Sequence, residues 1–156
     1  MATLDQLYLA GQLHDIGKIG IRDDILLKPG RLTTRERGIM EHHSQIGYEI
    51  LRDSPSQYLQ LGATIAWCHH EHFDCSGYPR GLRGDDIPLE ARIVALADVF
   101  DALLSERPYK KPWKVDQAVE LIRSESGGHF DPACVEAMLE RLRSEERFSR
   151  NAETGI

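Results

Sequence analysis

The feature that most constrains this chain is a series of histidine and aspartate residues at nearly equal spacing. Asp15, His43, His70 and Asp98 are separated by 28, 27 and 28 residues. A helix of ordinary length and its connection cover such an interval, so the helices of a bundle would return each residue to one region. The spacing therefore predicts an α-helical bundle with a cluster of metal ligands in its core.

The predicted ligands are imidazole and carboxylate groups, a donor set that suits iron, manganese or zinc. A carboxylate can also bridge two ions held about 3.5 to 4 Å apart, which points to a dinuclear site. A single histidine is more often a core or surface residue than a ligand, so the prediction depends on the whole set. The predicted ligands are His14, Asp15, His43, His69, His70 and Asp98.

Size and composition narrow the functional classes. The 156 residues, 41% hydrophobic and 28% charged, fit one domain with its own core. The net charge of −6 argues against a general DNA or membrane-surface binder, although a small anionic substrate needs only local positive charge. No apolar run approaches the roughly 20 residues of a membrane span and no signal-peptide pattern begins the chain, so we expect a cytoplasmic protein.

Hydrophobic periodicity predicts helices and no strand. A capping box of Thr33 and Glu36 marks the start of one helix, and irregular segments cover residues 21–32 and the loop around Gly77-Tyr78-Pro79. Three cysteines without CxxC spacing argue against a disulfide framework. The predicted helices cover residues 3–13, 33–52, 58–72, 89–106, 115–124 and 132–144.

Six segments, in this order, resemble the HD-GYP family, a branch of the HD phosphohydrolases. They are LHDIGKIGI (13–21), ILLKPGRL (25–32), IMEHHSQIGYEIL (39–51), HHEHFDCSGYPRGL (69–82), IPLEARIVALADVFDALLSERPYK (87–110) and HFDP (129–132). The resemblance implies an all-α, HD-type bundle with extra C-terminal helices and a long GYP loop. The expected organisation is an HD-GYP domain over 1–146, lacking two N-terminal helices that supply further metal ligands in the family, and a flexible tail over 147–156.

The activity that this resemblance implies is phosphodiester hydrolysis with two divalent metal ions, iron or manganese. The expected substrate is cyclic di-GMP, converted to linear pGpG or GMP by a metal-bridging hydroxide, and the expected partners are a second copy of the chain or a diguanylate cyclase. Two alternatives stay open. One is a degenerate, inactive HD-GYP module for protein interaction, and the other is an HD phosphohydrolase acting on another cyclic dinucleotide or nucleotide.

The resemblance also implies individual roles. Asp15 bridges both metals, with His14 and Asp98 on the first and His43, His69 and His70 on the second. Lys18 is expected to contact the phosphate or assist the leaving oxygen. The expected substrate ligands are Tyr78, Arg107 and Lys110.

Some nearby residues fall outside the expected ligand set. His42, His72 and His129 are taken as surface or loop residues, and Asp101 as a structural acid. Cys75 stands where the family has a glycine, and it would be strained if that position needs a positive φ.

Overall fold

The computed structural model describes residues 3–106 and 111–154, and it confirms the predicted all-α fold. Short 3-10 helices cover Ile16–Gly20 and Gly84–Asp86, and in the described ranges the only β feature is an isolated bridge between Ser126 and Phe130. The helices are α1 (Leu4–Gly11), α2 (Asp23–Leu26), α3 (Thr34–Glu41), α4 (His43–Leu51), α5 (Gln57–Cys68), α6 (Leu89–Leu104), α7 (Val115–Ser124) and α8 (Pro132–Thr154).

Helices α5 and α6 form the centre of the bundle. Helix α5 packs against α1, α4 and α6, while α6 also packs against α7 and α8. Ala10, Ile65 and Val94 join α1, α5 and α6 in one buried cluster, and each large apolar side chain buried there contributes about 1.5 to 3 kcal/mol. A second cluster, around Leu96 and Ile122, joins α6 to α7 and α8. These contacts fix the elements that carry the predicted ligands.

The prediction of one continuous helix over residues 33–52 is wrong, because the structure divides this segment at His42 into α3 and α4. The His42 ring lies 2.6 Å from the Gly38 carbonyl, the acceptor that the His42 N–H would have in a continuous helix. That N–H donates instead to Ile39, at 3.2 Å. Side-chain competition for the backbone thus tightens the turn and makes His43 the first residue of α4.

Other helix ends differ from the predicted ones. Helix α1 ends at Gly11, α5 ends at Cys68 so that His69 and His70 follow it, and a short α2 interrupts the predicted loop. Helix α8 continues past Ser144 to Thr154. The division into a domain and a flexible tail stays a prediction. Within the described part of the chain, no helix combines the length and the apolar character needed to cross a lipid bilayer.

A close backbone contact joins the 3-10 helix Ile16–Gly20 to α4. A Cβ atom at Gly17 would collide with the backbone of His43 and Gly47. Glycine is therefore the residue that allows this approach, which also brings Asp15 next to His43. Gly38, on the surface of α3, has no atom within 4 Å of an added Cβ.

We expect Gly17→Ala to lower the free energy of unfolding by about 3 kcal/mol, because the added methyl must push two backbone segments apart. Gly38→Ala is the matched control and should raise it by about 0.5 to 1 kcal/mol, since alanine favours an open helical position. Urea denaturation followed by circular dichroism measures both. Equal stability of the two variants would contradict the close approach.

Candidate metal centre

Asp15 lies at the middle of the predicted ligand set. Its Oδ1 atom lies 3.4 Å from His43 Nε2 and 3.9 Å from His69 Nε2. Its Oδ2 atom lies 3.4 Å from His14 Nε2 and 2.6 Å from Lys18 Nζ. The two carboxylate oxygens therefore face different groups of side chains, which is the arrangement that a bridging carboxylate requires.

On the Oδ1 side, four side chains from three parts of the fold converge. One potential ligand atom from each of Asp15, His43, His69 and His70 lies within 4.8 Å of the others. His43 begins α4, the histidine pair follows α5, and Asp15 precedes the 3-10 helix. The three histidine rings and one carboxylate oxygen form a donor set that suits a first-row transition metal.

The histidine rings are oriented by their own backbone. The Nδ1 atoms of His14, His43 and His69 lie 2.7 to 3.1 Å from carbonyl oxygens three or four residues earlier. A carbonyl only accepts, so Nδ1 carries a proton in all three rings, and in the neutral rings of His43 and His69 the Nε2 atom keeps its lone pair. In the described part of the chain, the buried Nε2 atoms of His43 and His69 have no hydrogen-bond partner. A cation would supply the missing partner.

On the Oδ2 side, two carboxylates meet one imidazole. His14 Nε2 lies 3.4 Å from Asp98 Oδ1 as well as from Asp15. Ligand atoms bound to one ion at about 2.0 to 2.2 Å are about 3 Å apart, and the separation of His14 Nε2 from each carboxylate is close to that value. Among the described residues, however, only the Oδ1 cluster has three or more ligand atoms that all lie within 4.8 Å of one another. Hydrogen bonds to Asp15 and Asp98 raise the pKa of His14 to about 10. The position therefore attracts positive charge, as a divalent cation would require.

The protonation states also suit metal binding on the Oδ1 side. Burial lowers the pKa of His43, that of His69 to about 4 and that of His70 to about 2, with neighbouring imidazoles adding to the last two shifts. Neutral imidazole is the form that coordinates metal. Burial alone would raise the pKa of Asp15, but hydrogen bonds from His14 and Lys18 outweigh it, and the pKa is lowered.

A cleft of about 290 Å³ opens beside these ligands. Asp15, Lys18, His70 and Asp98 line its polar side, and part of α6 around Val99 lines its apolar side. The Lys18 side chain is 41% exposed, so its ammonium group is available to an anion that enters the cleft. The shape and the charges suit a phosphate ester approaching the metal centre.

The loop that follows the histidine pair is fixed by a residue that sequence reasoning missed. The Glu71 side chain is buried, and its carboxylate accepts the backbone N–H groups of Arg80 (2.7 Å) and Leu82 (2.8 Å). The Tyr78 ring stacks on His70, with centroids 4.7 Å apart. Glu71 thereby holds the GYP loop against a predicted metal ligand. In the sequence, the only signal for Glu71 is its position between two histidines.

Cys75 adopts the strained conformation that the glycine in the resembling family suggested. Its φ angle is 72°, in the left-handed region that favours glycine. The thiol is exposed. The loop therefore keeps its shape with a side chain that costs about 1 to 2 kcal/mol there.

Several residues predicted to fall outside the ligand set do lie outside the cluster. His42 is exposed, and Asp101 is exposed and accepts a hydrogen bond from Ser105 at 3.4 Å. The rings of His72 and His129 pack on each other with centroids 4.0 Å apart. Arg107 and Lys110, predicted to bind substrate, lie outside the described residues. The assignment of the individual ligands stays a prediction that the geometry supports.

Comparison with known proteins agrees with this geometry. A protein-family model described as "HD domain" matches residues 2–134. The chain belongs to the HD domain family. The resemblance to its HD-GYP branch is confirmed by the curated relatives that the chain matches.

Two of these relatives carry different substrates in their names. The chain is 56% identical over 131 residues to "Cyclic di-GMP phosphodiesterase response regulator RpfG" of Xanthomonas campestris, covering 84% of this chain and 35% of that protein. It is 48% identical over 136 residues to "3'3'-cGAMP-specific phosphodiesterase 2" of Vibrio cholerae, covering 87% of this chain and 26% of that protein. The chain thus spans about a third or less of the length of these relatives.

A solved structure supports the fold of the whole described bundle. The crystal structure of a cyclic GMP-AMP specific phosphodiesterase of V. cholerae (V-cGAP3) matches with a TM-score of 0.64 and 23% identity. The match covers 93% of this chain and 39% of that chain. At this identity the likeness shows the HD fold alone.

If Asp15 bridges two ions, Asp15→Asn should reduce metal content from two ions per chain to one or none, because each ion loses a charged ligand. Asp98→Asn should leave about one. Elemental analysis after anaerobic reconstitution with Fe(II) or Mn(II) measures the ratio. Asp101→Asn, one turn further along α6, is the control and should keep two. An Asp15→Asn variant with two ions would exclude the bridge.

Cys75→Gly should raise the free energy of unfolding by about 1 kcal/mol, because glycine adopts the left-handed conformation without steric cost. Cys75→Ala keeps the β-carbon and removes only the thiol, so it should give no such gain. Urea denaturation of the apoprotein separates the two effects. A gain in the alanine variant equal to that in the glycine variant would assign the cost to the thiol instead of the backbone.

Proposed function

We propose that this chain is a metal-dependent phosphodiesterase domain that hydrolyses cyclic di-GMP to linear pGpG or GMP. The observation that carries the proposal is the position of Asp15, whose two oxygens face separate groups of ligands at the base of a cleft that Lys18 lines. The names of relatives such as the Xanthomonas protein supply the substrate. The chain spans about a third of that protein's length, so the activity named for the relative is a proposal for this chain.

Two divalent ions, for which we propose iron or manganese, would neutralise phosphate charge and make a water molecule nucleophilic near neutral pH. His14, Asp98 and Asp15 would hold the first ion. His43, His69, His70 and Asp15 would hold the second. The buried, unpartnered Nε2 atoms of His43 and His69 support this assignment for the second ion.

The other residues of the site would act by positioning the substrate and by stabilising its charge. Lys18 donates to Asp15 Oδ2 at 2.6 Å and lines the cleft, so it can reach a phosphate oxygen or the leaving oxygen there. Its ammonium group would stabilise the charge that develops on the leaving ribose oxygen. The apolar wall formed by α6 and the Tyr78 ring on His70 would limit water around the scissile bond and orient the sugar.

One alternative substrate class has specific support. The relatives named for 3'3'-cGAMP include one at 48% identity, so hydrolysis of another cyclic dinucleotide is the second candidate. The inactive interaction module differs from both in predicting no turnover. A homodimer or a diguanylate cyclase partner, substrate binding by Arg107 and Lys110, and a cytoplasmic location stay predictions.

The reconstituted protein should hydrolyse cyclic di-GMP, and Lys18→Ala should lower kcat/KM about 100-fold while metal content is unchanged, because a transition-state contact is lost. Lys111→Ala, an exposed lysine outside the cleft, is the control and should behave as the wild type. Chromatography of the nucleotide products measures both the rate and the pGpG to GMP ratio. A chain loaded with two ions that hydrolyses none of the cyclic dinucleotides would favour the interaction module.

A further inference from the structure

A second cleft, of about 410 Å³, adjoins the metal centre through Tyr78. Tyr78 lines this cleft and also stacks on His70, so it lies between the two sites. Leu32 and Met40 contribute apolar surface, and the charged residues Arg31, Arg37 and Glu41 complete the lining. None of these residues belongs to the predicted metal centre. An aromatic ring and two apolar side chains form a surface suited to a flat base.

The charged groups of this cleft have no hydrogen-bond or ion-pair partner among the side chains that the structure describes. Within residues 3–106 and 111–145, no hydrogen bond or ion pair engages the side chains of Arg31, Arg37 or Glu41. By contrast, Lys28 in the preceding segment and Glu36 on α3 pair with each other at 2.7 Å. The unpartnered groups therefore keep their full capacity to donate to, or accept from, a ligand.

We propose that Arg37 and Glu41 recognise a guanine base of the substrate, held against the Tyr78 ring. The inference rests on the proposed function and names the residues that select the base. Guanine presents two acceptors, O6 and N7, and two donors, N1–H and the 2-amino group. Arg37 would donate to the acceptors and Glu41 would accept from the donors. These residues are four apart on α3, so their side chains lie on one face of the helix.

Adenine would meet the wrong partner at both positions. Its 6-amino group would point donors at the guanidinium of Arg37, and its unprotonated N1 would point a lone pair at the carboxylate of Glu41. Polar groups that a bound base covers and leaves unpaired in this way are a strong source of discrimination. The same carboxylate argues against a phosphate in the cleft, because two anions would be brought together there.

The names of two relatives indicate why selectivity for the base would matter. At 56% and 48% identity to this chain, one is named for cyclic di-GMP and the other for 3'3'-cGAMP, substrates that differ only in one base. A metal centre that acts on the phosphodiester cannot distinguish them. The distinguishing contacts must therefore lie beside the centre, where a base can reach, and this cleft has both the location and the polar groups.

The test compares kcat/KM for cyclic di-GMP, 3'3'-cGAMP and cyclic di-AMP, with bis(p-nitrophenyl) phosphate as a substrate that has no base. Arg37→Ala and Glu41→Ala should each lower the value for cyclic di-GMP about tenfold to a hundredfold, mainly through KM. The values for cyclic di-AMP and for the base-free ester should stay unchanged. Arg35→Ala, on the opposite face of α3, and Glu49→Ala, an exposed acid on α4, are the matched controls and should match the wild type.

An equal loss on all three cyclic dinucleotides would show that the cleft binds phosphate or ribose, and would overturn base recognition. An unchanged selectivity in both variants would also overturn it. If the wild type does not hydrolyse cyclic di-GMP, the proposed function fails and calorimetric affinities for cyclic di-GMP and cyclic di-AMP decide instead. A guanine-specific loss of affinity in the variants would then support the inference, whereas the absence of cyclic di-GMP binding to the wild type would overturn it.

Discussion

The convergence of imidazole nitrogens on the Asp15 carboxylate is the interaction on which the rest of the structure depends. Lone pairs of His43 and His69 face an ionised oxygen at 3.4 and 3.9 Å, and both rings are buried. Neutral nitrogen acceptors directed at an anion repel it, and among the described residues the two buried Nε2 atoms have no hydrogen-bond partner. Lys18 and the protonated His14 neutralise only the Oδ2 side. A cation between the rings and Oδ1 would remove this conflict.

Helix ends make this convergence possible. The last carbonyls of a helix have no partner within it, and three of the predicted ligand histidines direct their Nδ1–H groups to such carbonyls. His14 caps α1 through Gly11, and His43 and His69 bond in the same way to the last turns of α3 and α5. Each ring is thereby turned so that Nε2 points inward. The same hydrogen bonds therefore cap the helix ends and orient the imidazole rings, so a change in one affects the other.

Much of the fold, and the convergence of the candidate ligands Asp15, His43, His69 and His70, could be predicted because both follow from periodicity in the sequence. The spacing of Asp15, His43, His70 and Asp98 required only that helices return to one place. The interruption at His42 could not be predicted, because it arises from ring-to-carbonyl bonds that compete with the helix. The role of Glu71 could not be predicted for a related reason, because its carboxylate accepts backbone N–H groups nine and eleven residues away. Such contacts exist only after the loop has folded.

If α3 binds the base as proposed, its position would allow one metal centre to serve different substrates. The helix carries Arg37 and Glu41, yet none of its residues is buried. Changes to its exposed charges therefore disturb neither the core that joins α5 to α6 nor the metal ligands. His42 and His43 nevertheless link α3 directly to the predicted metal centre, so a base bound on α3 as proposed would stay at a fixed distance from the scissile phosphate. The residues proposed for base recognition and those proposed for hydrolysis would thus be separate in the sequence and adjacent in space, which is what a change of base specificity on a constant metal centre requires.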